Sequence, residues 1–388
     1  MKYKLFNHVK FLSEGIGPRL PASDGERRAS NYIISQIESW DLHPLVEKFK
    51  TPKLIYDIFQ FLFLTGFLIC LFFFHFHIYF QFFLILIEIF LIYFFYSEMT
   101  FSRTPFFKIF QRHYSKNIYV KIPAKKEVKE RIIITAHKDS STSSVFFYKR
   151  FIKYLPIGLR LSFFMFNALL LCSMFYFIFP SVILSCIFFI MGLFFLFSFI
   201  LSFHAQYIAS PSHGANDNAS GVAVLLALAE QLASHSLINK EIYLVFTGAE
   251  EAGNVGIYEF IKKHNKKFAG NAVFIALDCA GIGIPTAVRS EGMLKTFKSD
   301  EKILRLLQES SKDTGIPIQI KDFPLGYTEM EVPYHFKYPS VTIGAVPEDP
   351  ETVPHWHQNS DTIGYIQSDT LERTYRLLLD VIQKGNRA

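Results

Sequence analysis

The stretch that decides the fold is Ile242-Tyr243-Leu244-Val245-Phe246-Thr247-Gly248-Ala249-Glu250-Glu251-Ala252-Gly253. It begins with an apolar run of the kind that forms a buried strand, and Glu250 and Glu251 follow where that strand should end. Ligands bind at the ends of buried strands in open α/β sheets, and neighbouring residues of an extended chain point in opposite directions. One carboxylate can therefore hold a metal ion while the other faces a substrate, although an isolated Glu-Glu pair is more often an exposed acidic loop.

Strand and helix patterns alternate through the rest of the polar sequence. We predict strands over 131–136, 241–246, 272–277 and 340–343, and helices over 221–233, 257–263, 302–310 and 371–382. The alternation predicts an α/β fold, a three-layer structure with a mainly parallel sheet and helices on both faces. Residues 1–50 are interpreted as α-helix with one break near Gly17, and residues 97–130 show a poor pattern of mixed strand and loop.

The apolar residues are concentrated in two regions. Phe occurs 44 times in 388 residues, and the mean hydropathy is +0.23. Residues 54–76 and 77–96 form one pair of apolar stretches, and residues 161–179 and 181–203 form another. Each stretch is about long enough to cross the hydrocarbon core of a bilayer. We therefore predict two transmembrane hairpins, with His75-Phe76-His77 and Pro180 at their tips, rather than buried core helices of a soluble protein.

These hairpins divide one predicted soluble domain into three parts. The first hairpin region, 54–96, separates residues 1–53 from 97–153, and the second, 154–203, separates 97–153 from 204–388. Glu88 falls within the second apolar stretch, where a carboxylate is costly. It is either a functional group or, more simply, a protonated or hydrogen-bonded residue at a helix contact.

Positive charge is distributed asymmetrically around the apolar stretches. Near the span ends, Lys and Arg occur on the side of the soluble segments and not at the tips: Lys48, Lys50, Lys53, Arg103, Lys108, Arg112, Lys116, Lys149, Arg150, Lys153 and Arg160. The charged segment 1–46 lacks a signal-peptide pattern. The positive-inside rule then predicts an integral membrane protein with four transmembrane helices, and with the soluble domain and both termini in the cytoplasm. The net charge of +6 is thus interpreted as membrane topology, and no basic patch suggests nucleic-acid binding.

The cysteines do not suggest a disulfide framework or a structural zinc site. Cys70, Cys172, Cys186 and Cys279 show neither paired nor CxxC spacing.

Four further stretches place metal-binding residue types at strand ends or in loops. His137 and Asp139 follow the first predicted strand, Asp217 precedes a helix, Asp278 follows a third strand, and His357 lies in a late loop. Imidazole nitrogens and carboxylate oxygens are the ligands that zinc prefers. A carboxylate shared by two ions holds such a pair together, and a separate carboxylate can take a proton from water. The pattern therefore predicts a two-metal site, although each residue alone is a weak signal.

Taken in order, these stretches resemble metallopeptidase family 28, the two-zinc aminopeptidases and their carboxypeptidase relatives. The resemblance rests on five metal motifs and on an N-terminal signature: Ala136-His137-Lys138-Asp139-Ser140, Asn216-Asp217-Asn218-Ala219-Ser220-Gly221, Gly248-Ala249-Glu250-Glu251-Ala252-Gly253, Leu277-Asp278, His357 through Thr362, and Gly17-Pro18-Arg19 with Ala22-Ser23. It implies a zinc-exopeptidase-like fold with two zinc ions.

The resemblance also assigns the ligands. It implies that His137 and Asp278 bind one zinc ion, that Glu251 and His357 bind the other, and that Asp217 bridges both.

The resemblance further implies roles for two acidic residues that are not ligands. Glu250 would be the general base that activates a bridging water and later protonates the leaving amine, and Asp139 would hydrogen-bond to His137. The chain departs from the family pattern in its membrane hairpins, in Lys138, where an aromatic residue is common, and in Tyr327-Thr328-Glu329-Met330, where relatives often have Ser-Asp-His. The last stretch should flank the substrate pocket.

We therefore expect a membrane-embedded, cytoplasm-facing exopeptidase with two zinc ions, and we favour an aminopeptidase whose pocket carboxylate holds the free amine. A carboxypeptidase, a dipeptidase, an amide-forming acyltransferase and a non-catalytic membrane scaffold remain open as alternatives. Glutaminyl cyclases share the fold but use one zinc, and the presence of both His137 and Asp278 argues against that reaction. The expected partners are a peptide substrate and the lipid bilayer, and the oligomeric state does not follow from the sequence.

Overall fold

The computed structural model describes residues 1–73, 77–234, 237–348 and 352–384. The predicted tip residues His75 and Phe76 lie outside these ranges. The helices are α1 (Lys2–Lys10), α2 (Asp24–Glu38), α3 (Tyr56–Phe72), α4 (Ile78–Met99), α5 (Leu155–Ile178), α6 (Val182–Tyr207), α7 (Gly221–Ala233), α8 (Val255–Phe268), α9 (Glu301–Thr314), α10 (Glu331–His335) and α11 (Ser368–Gln383). The strands are β1 (Leu45–Thr51), β2 (His113–Ile122), β3 (Glu130–His137), β4 (Lys240–Thr247), β5 (Ala272–Leu277), β6 (Ile284–Glu291), β7 (Phe297–Lys298), β8 (Gln319–Phe323) and β9 (Ser340–Val346).

These strands form one sheet in the order β1-β2-β4-β3-β5-β9-β6-β7, with β8 paired to β6. The four central strands, β4, β3, β5 and β9, are parallel, whereas β2 and β6 flank them in the antiparallel sense. The predicted α/β class is confirmed, and each predicted strand and helix from residue 131 onward is present. Helix 221–233 and strand 272–277 have the predicted ends, and the others have at least one shifted end.

The prediction that residues 1–50 are helical is wrong in its last part. Residues 45–51 form β1, which pairs with β2 at the edge of the sheet. Most of its side chains are at least partly exposed, so the sequence carries little of the apolar alternation that marks a strand. The same reason explains why β8, whose residues are also largely accessible, was not predicted.

Helices cover both faces of the sheet. Ile132 and Ile134 of β3 belong to a core cluster that includes α1, α2, α7, α9 and α11. Ile133, between them, points to the opposite face and packs with α8 and α10. This alternation of side chains along a central strand produces the three predicted layers.

The apolar helices form a bundle in which α3 packs against α6 and α4 packs against α5. Three segments, Ile78–Met99, Ile152–Ile178 and Val182–Tyr207, are long and apolar enough to cross a membrane. The fourth apolar helix, α3, has 17 residues, which corresponds to about 25 Å. Large apolar side chains cover the outside of the bundle, including Ile183, which is 75% exposed, and Phe189, which is 67% exposed.

Both hairpins leave the sheet at the edge where the parallel strands end. The second hairpin follows β3 directly, between His137 and Asp217. The first hairpin connects Thr51, at the end of β1, to His113, at the start of β2, and these two residues are paired. Because β2 runs antiparallel to β4, with Ile118 opposite Phe246, the start of β2 lies beyond the carboxyl end of β4.

The side chain of Arg19 is completely buried and binds backbone carbonyls from separate parts of the chain. Its Nε donates to the carbonyl of Lys138 at 2.9 Å, and its Nη2 donates to the carbonyl of Gly214 at 2.7 Å. Nη1 donates to the carbonyls of Leu12, Gly17 and His213. Burial lowers the pKa of Arg19 to about 10, although surrounding aspartates oppose this shift. The guanidinium therefore holds together the two chain segments that flank the second hairpin.

We predict that Arg19→Met lowers the free energy of unfolding by about 3–5 kcal/mol, because it leaves several buried carbonyl groups without a donor. The measurement is thermal or denaturant unfolding of the detergent-solubilised chain. Arg28→Met is the matched control, since Arg28 is 48% exposed and donates to one carbonyl, that of Ile16. Equal stability of the two variants would contradict the role given to Arg19.

Candidate active site

The structure brings the five predicted ligands together at the carboxyl edge of the sheet. His137 is the last residue of β3, Glu251 follows β4, and Asp278 follows β5. Asp217 lies in the irregular turn 215–220 before α7, and His357 lies in the loop before α11. In each of two triads, His137-Asp217-Asp278 and Asp217-Glu251-His357, the potential ligand atoms lie within 4.8 Å of one another.

Asp217 stands between the two triads. Its Oδ1 is 3.2 Å from Nε2 of His137, and its Oδ2 is 3.1 Å from Nε2 of His357. Asp278 Oδ1 lies 3.8 Å from the same His137 nitrogen, and Glu251 Oε1 lies 3.0 Å from the same His357 nitrogen. Each oxygen of Asp217 thus faces a different triad, which is the arrangement that a bridging ligand requires.

The carboxylates of the site make both histidines more basic. Burial alone would lower the pKa of His137, but the charges of Glu250, Asp217 and Asp278 raise it well above its ordinary value. In the same way, Glu251 and Asp217 overcome burial and raise the pKa of His357 to about 10. Burial would raise the pKa of Asp217, but hydrogen bonds from the two histidines lower it. Negative charge therefore predominates, and the site favours cations.

Within the described part of the chain, several buried atoms of the site have no hydrogen-bond partner, among them Asp139 Oδ1, Asp278 Oδ1 and His357 Nδ1. Buried polar atoms rarely remain unsatisfied unless another species binds them. Each triad offers one imidazole nitrogen and carboxylate oxygens, the donor set that zinc prefers. The residues present therefore fit zinc.

Glu250 lies beside the two triads without belonging to either of them. It remains partly exposed, whereas Glu251 is buried. Burial and the charges of Glu251 and Asp278 raise the pKa of Glu250 well above its usual value, although His137 opposes the shift. A carboxyl group of raised pKa can both accept and return a proton near neutral pH.

Asp139 contacts Glu251 more closely than it contacts the ring of His137. Nδ1 of His137 is 3.2 Å from the backbone carbonyl of Asp139 and 3.8 Å from its carboxylate Oδ1. The other carboxylate oxygen accepts a hydrogen bond of 3.0 Å from the backbone N–H of Glu251. The expected contact with His137 is thus made through the main chain, and the side chain of Asp139 orients the turn that carries Glu251.

Asp361 positions the bridging residue, a role that the sequence did not indicate although the residue lies in a recognised motif. Its two carboxylate oxygens accept hydrogen bonds from the backbone N–H groups of Asn216, at 2.7 Å, and Asp217, at 3.0 Å. Burial raises the pKa of Asp361 to about 7, with a further contribution from the charge of Asp217, while these hydrogen bonds oppose it.

The buried ion pair of Lys138 and Glu26 supports the turn that carries Glu250 and Glu251, here called the Glu-Glu turn. Nζ of Lys138 lies 3.0 Å from Oε1 of Glu26 and donates to the carbonyl of Lys116 at 2.7 Å. The same oxygen of Glu26 accepts hydrogen bonds from Ser115 Oγ, at 2.6 Å, and from the N–H of Ala249, at 3.2 Å. Lys138, which departs from the family pattern, is therefore a structural partner of helix α2 and does not point into the substrate space.

A cavity of about 60 Å³ adjoins the Asp278 side of the site. Its walls are mainly apolar and include Val288, Phe323, Val346, Val353 and Trp356. Tyr327, Thr328 and Asp278 also line it. This volume has room for about four or five water-sized groups. The cavity can accept an apolar side chain of moderate size.

Three acidic residues are buried near this cavity. Glu291 accepts a hydrogen bond of 2.9 Å from Thr328 Oγ1, and burial raises its pKa to about 8. Among the described residues, no hydrogen-bond partner reaches the carboxylate oxygens of Glu329 or Glu331. Burial raises the pKa of each of these two residues. Of the three, Glu329 belongs to the stretch that differs from relatives, so this departure adds one acidic group near the cavity.

Comparison with known proteins supports this interpretation of the site. The sequence pattern of Peptidase family M28 matches residues 199–382, which include four of the five predicted ligands. The matched segment, slightly less than half of the chain, is similar to peptidase family M28. The chain is also similar to Aminopeptidase YwaD of Bacillus subtilis (strain 168), with 30% identity over 187 residues. That match covers 47% of this chain and 40% of the relative, so it spans less than half of the length of that protein.

Solved structures share the fold of this chain. A zinc aminopeptidase from Bacillus subtilis, BSAP, superposes with a TM-score of 0.60 at 13% identity, covering 99% of this chain and 95% of the other. A glutaminyl cyclase of Bacteroides thetaiotaomicron superposes with a TM-score of 0.57 at 17% identity, covering 99% and 98%. At these identities the likeness shows the zinc-exopeptidase fold.

We predict that zinc raises the thermal midpoint of the metal-free protein, since a ligand at about a hundredfold excess over its Kd stabilises the folded state by roughly 3 kcal/mol. The effect should weaken as the pH falls, because both histidines must lose a proton before they can bind zinc. Asp217→Asn should abolish most of this stabilisation, whereas the exposed control Asp24→Asn should retain it. A midpoint that responds to neither zinc nor a chelator would exclude a zinc site.

Proposed function

We propose that this chain is a zinc-dependent exopeptidase with two zinc ions, and specifically an aminopeptidase that removes N-terminal residues from peptides. The observation that carries the proposal is the placement of Asp217, whose two oxygens face separate histidines, with Glu250 beside them. His137 and Asp278 would hold one zinc ion, Glu251 and His357 the other, and Asp217 both. Zinc, when bound, polarises a carbonyl group and lowers the pKa of water.

Glu250 is the proposed general base and then the general acid. Its carboxylate takes a proton from water as the water oxygen bonds to the carbonyl carbon of the N-terminal residue. The carbon–nitrogen bond then breaks, and the same proton passes from Glu250 to the leaving amine. The raised pKa of Glu250 suits both transfers, because the carboxyl can hold the proton between them.

The charge of the site favours a free amine over a free carboxylate as the recognised substrate terminus. Negative charge predominates around both histidines. The buried cations Arg19 and Lys138 already bind backbone carbonyls, and Lys138 also pairs with Glu26. Two zinc ions would offset the charge of the three carboxylate ligands, so the preference must come from groups outside the triads. The neighbouring groups of this kind, Glu250 and Glu329, are acidic. They would attract a peptide amine rather than a C-terminal carboxylate, which supports an aminopeptidase rather than a carboxypeptidase.

Two zinc ions rather than one are supported by the composition of the triads. His137 and Asp278, together with Asp217, supply potential ligands for a second zinc ion. This is the observation that favours peptide hydrolysis over the cyclase reaction of the similar glutaminyl cyclase.

We also propose that the apolar helices anchor the enzyme in a membrane as two hairpins, with the catalytic domain and both termini in the cytoplasm. The catalytic domain would comprise residues 1–53, 97–153 and 204–388, and the hairpins would lie in 54–96 and 154–203. Support comes from the three long apolar segments, from the apolar outer surface of the bundle and from the basic residues near the hairpin bases.

We predict that Glu250→Gln lowers kcat for an aminoacyl reporter by about 10²–10⁴-fold, the usual contribution of a general base, while the zinc content is unchanged. Metal analysis and initial rates on the same preparations measure the two effects. The control Glu309→Gln, at an exposed helix position, should match the native enzyme. Full activity of the Glu250 variant would show that another group takes the proton, and hydrolysis of N-blocked peptides at an equal rate would exclude an aminopeptidase.

The topology is tested separately with a reporter inserted after His77. We expect it on the side opposite to reporters fused at either terminus, because His77 lies at the tip of the first hairpin and next to the start of α4. Accessibility of the His77 reporter from the cytoplasm would overturn the proposed orientation.

A further inference from the structure

The bases of both hairpins touch the residues of the catalytic site. The backbone N–H of Ile55, just before α3, donates to the carbonyl of Glu251 at 3.2 Å. Leu54 and Tyr56 pack against Ala205 near the end of α6. The first and second hairpins thus meet each other directly beside a predicted metal ligand.

The Glu-Glu turn shares its apolar packing with the membrane bundle. Ala249 and Ala252, on either side of the two glutamates, belong to the same cluster of buried residues as Phe63, Phe95 and Phe166 of α3, α4 and α5. The bundle therefore lies over the carboxyl edge of the sheet, and it does not project from a remote face of the domain.

The second hairpin reaches the other side of the site through Phe147. The ring of Phe147 lies 4.2 Å from the ring of His357 and 4.9 Å from that of Trp356, measured between centroids. Its carbonyl also accepts a hydrogen bond of 2.9 Å from Gln358 Nε2. Because Trp356 lines the cavity, one wall of the substrate space is held by a residue that leads into α5.

A second lining residue of the cavity, Tyr327, connects it to both hairpins as well. Its ring lies 5.6 Å from that of Phe101, which follows α4. The OH of Tyr327 accepts a hydrogen bond of 2.9 Å from the N–H of Leu294, and the carbonyl of the preceding Met293 accepts one of 2.8 Å from Nε of Arg160, in α5. The substrate space is therefore enclosed between the sheet edge and the bases of the two hairpins.

The helix lengths place this space close to the bilayer surface. Helix α6 has 26 residues, or about 39 Å, which exceeds the hydrocarbon thickness of about 30 Å. Its last turns, which include His204 and Gln206, therefore extend into the polar layer, where Gln206 Nε2 donates to Asp57 Oδ1 at 3.1 Å. The distance from the hydrocarbon boundary to the hairpin bases is on the order of 10 Å.

The protein surface around the bases is suited to lipid headgroups. Lys53 and the group Lys149, Arg150 and Lys153 are exposed, and basic residues beside a membrane segment attract anionic lipids. With the helices embedded as proposed, the headgroup layer lies beside the turn that carries Glu251, because Ile55 at the base of α3 contacts this residue. A peptide that is attached to the membrane already occupies that layer at a high effective concentration.

We infer that the substrates are membrane-anchored polypeptides whose free N-terminus lies within a few residues of the bilayer surface. This inference rests on the proposed function, since it names the substrate class of the same site. An extended chain covers at most about 3.4 Å per residue, so an N-terminus attached to the membrane through about five residues can reach a site that lies 10–15 Å below the hydrocarbon.

The test uses the full zinc-loaded chain in lipid vesicles and a series of peptides with one N-terminal sequence. Each peptide is attached to a diacyl lipid through a spacer of about 5, 10 or 20 residues, which spans about 17, 34 or 68 Å when extended. The same peptide without a lipid is the reference, and vesicles with Glu250→Gln provide the background. The measured quantity is the initial rate of release of the N-terminal residue.

We expect the shortest anchored peptide to be cleaved at least tenfold faster than the free peptide and faster than the peptides with longer spacers. Concentration at the membrane would accelerate every anchored peptide, so the dependence on spacer length is the decisive result. Rates of the anchored peptides that are independent of spacer length or increase with it, or equal rates for free and anchored peptides, would overturn the inference while leaving the proposed function intact. Cleavage of none of the peptides would instead contradict the proposed function, and this inference with it.

Discussion

The structure depends on one buried guanidinium. Arg19 donates to the carbonyls of Lys138 and Gly214, which lie on opposite sides of the second hairpin and next to the ligands His137 and Asp217. A long insertion between two ligands would leave them free to separate unless its ends were held, and Arg19 holds them from the N-terminal segment. Backbone carbonyls are suitable partners here because they fix distances without adding charge to a site that is already negative.

Without metal ions, the site carries more negative than positive charge, and its chemistry follows from this excess. Asp361 and Asp139 use their carboxylates to bind backbone N–H groups of the ligand loops. The acidic residues thus have two functions, since some orient the main chain and others face the space between the histidines. Such an arrangement is costly without cations, and this cost provides the driving force for metal binding.

The sequence predicted the central strands and the residues that come together in the two triads because both are local signals. The run before Glu250 is continuously apolar, and the ligand motifs lie at the ends of such runs. The exposed edge strand β1 lacks that signal and was mistaken for helix. The contacts of Arg19 and the pairing of Lys138 with Glu26 join residues that are more than 100 positions apart. No spacing in the sequence encodes such contacts, so the supports of the site emerge only from the fold.

The pairing of Thr142 with Pro211 brings the two ends of the second hairpin together. The chain enters and leaves the second hairpin at adjacent points, and Thr142 Oγ1 also donates to the carbonyl of Ala205 at 2.8 Å. A segment with adjacent ends can be gained or lost as a unit, because the flanking backbone does not have to move. The second hairpin can thus be inserted or removed without displacing the residues of the two triads.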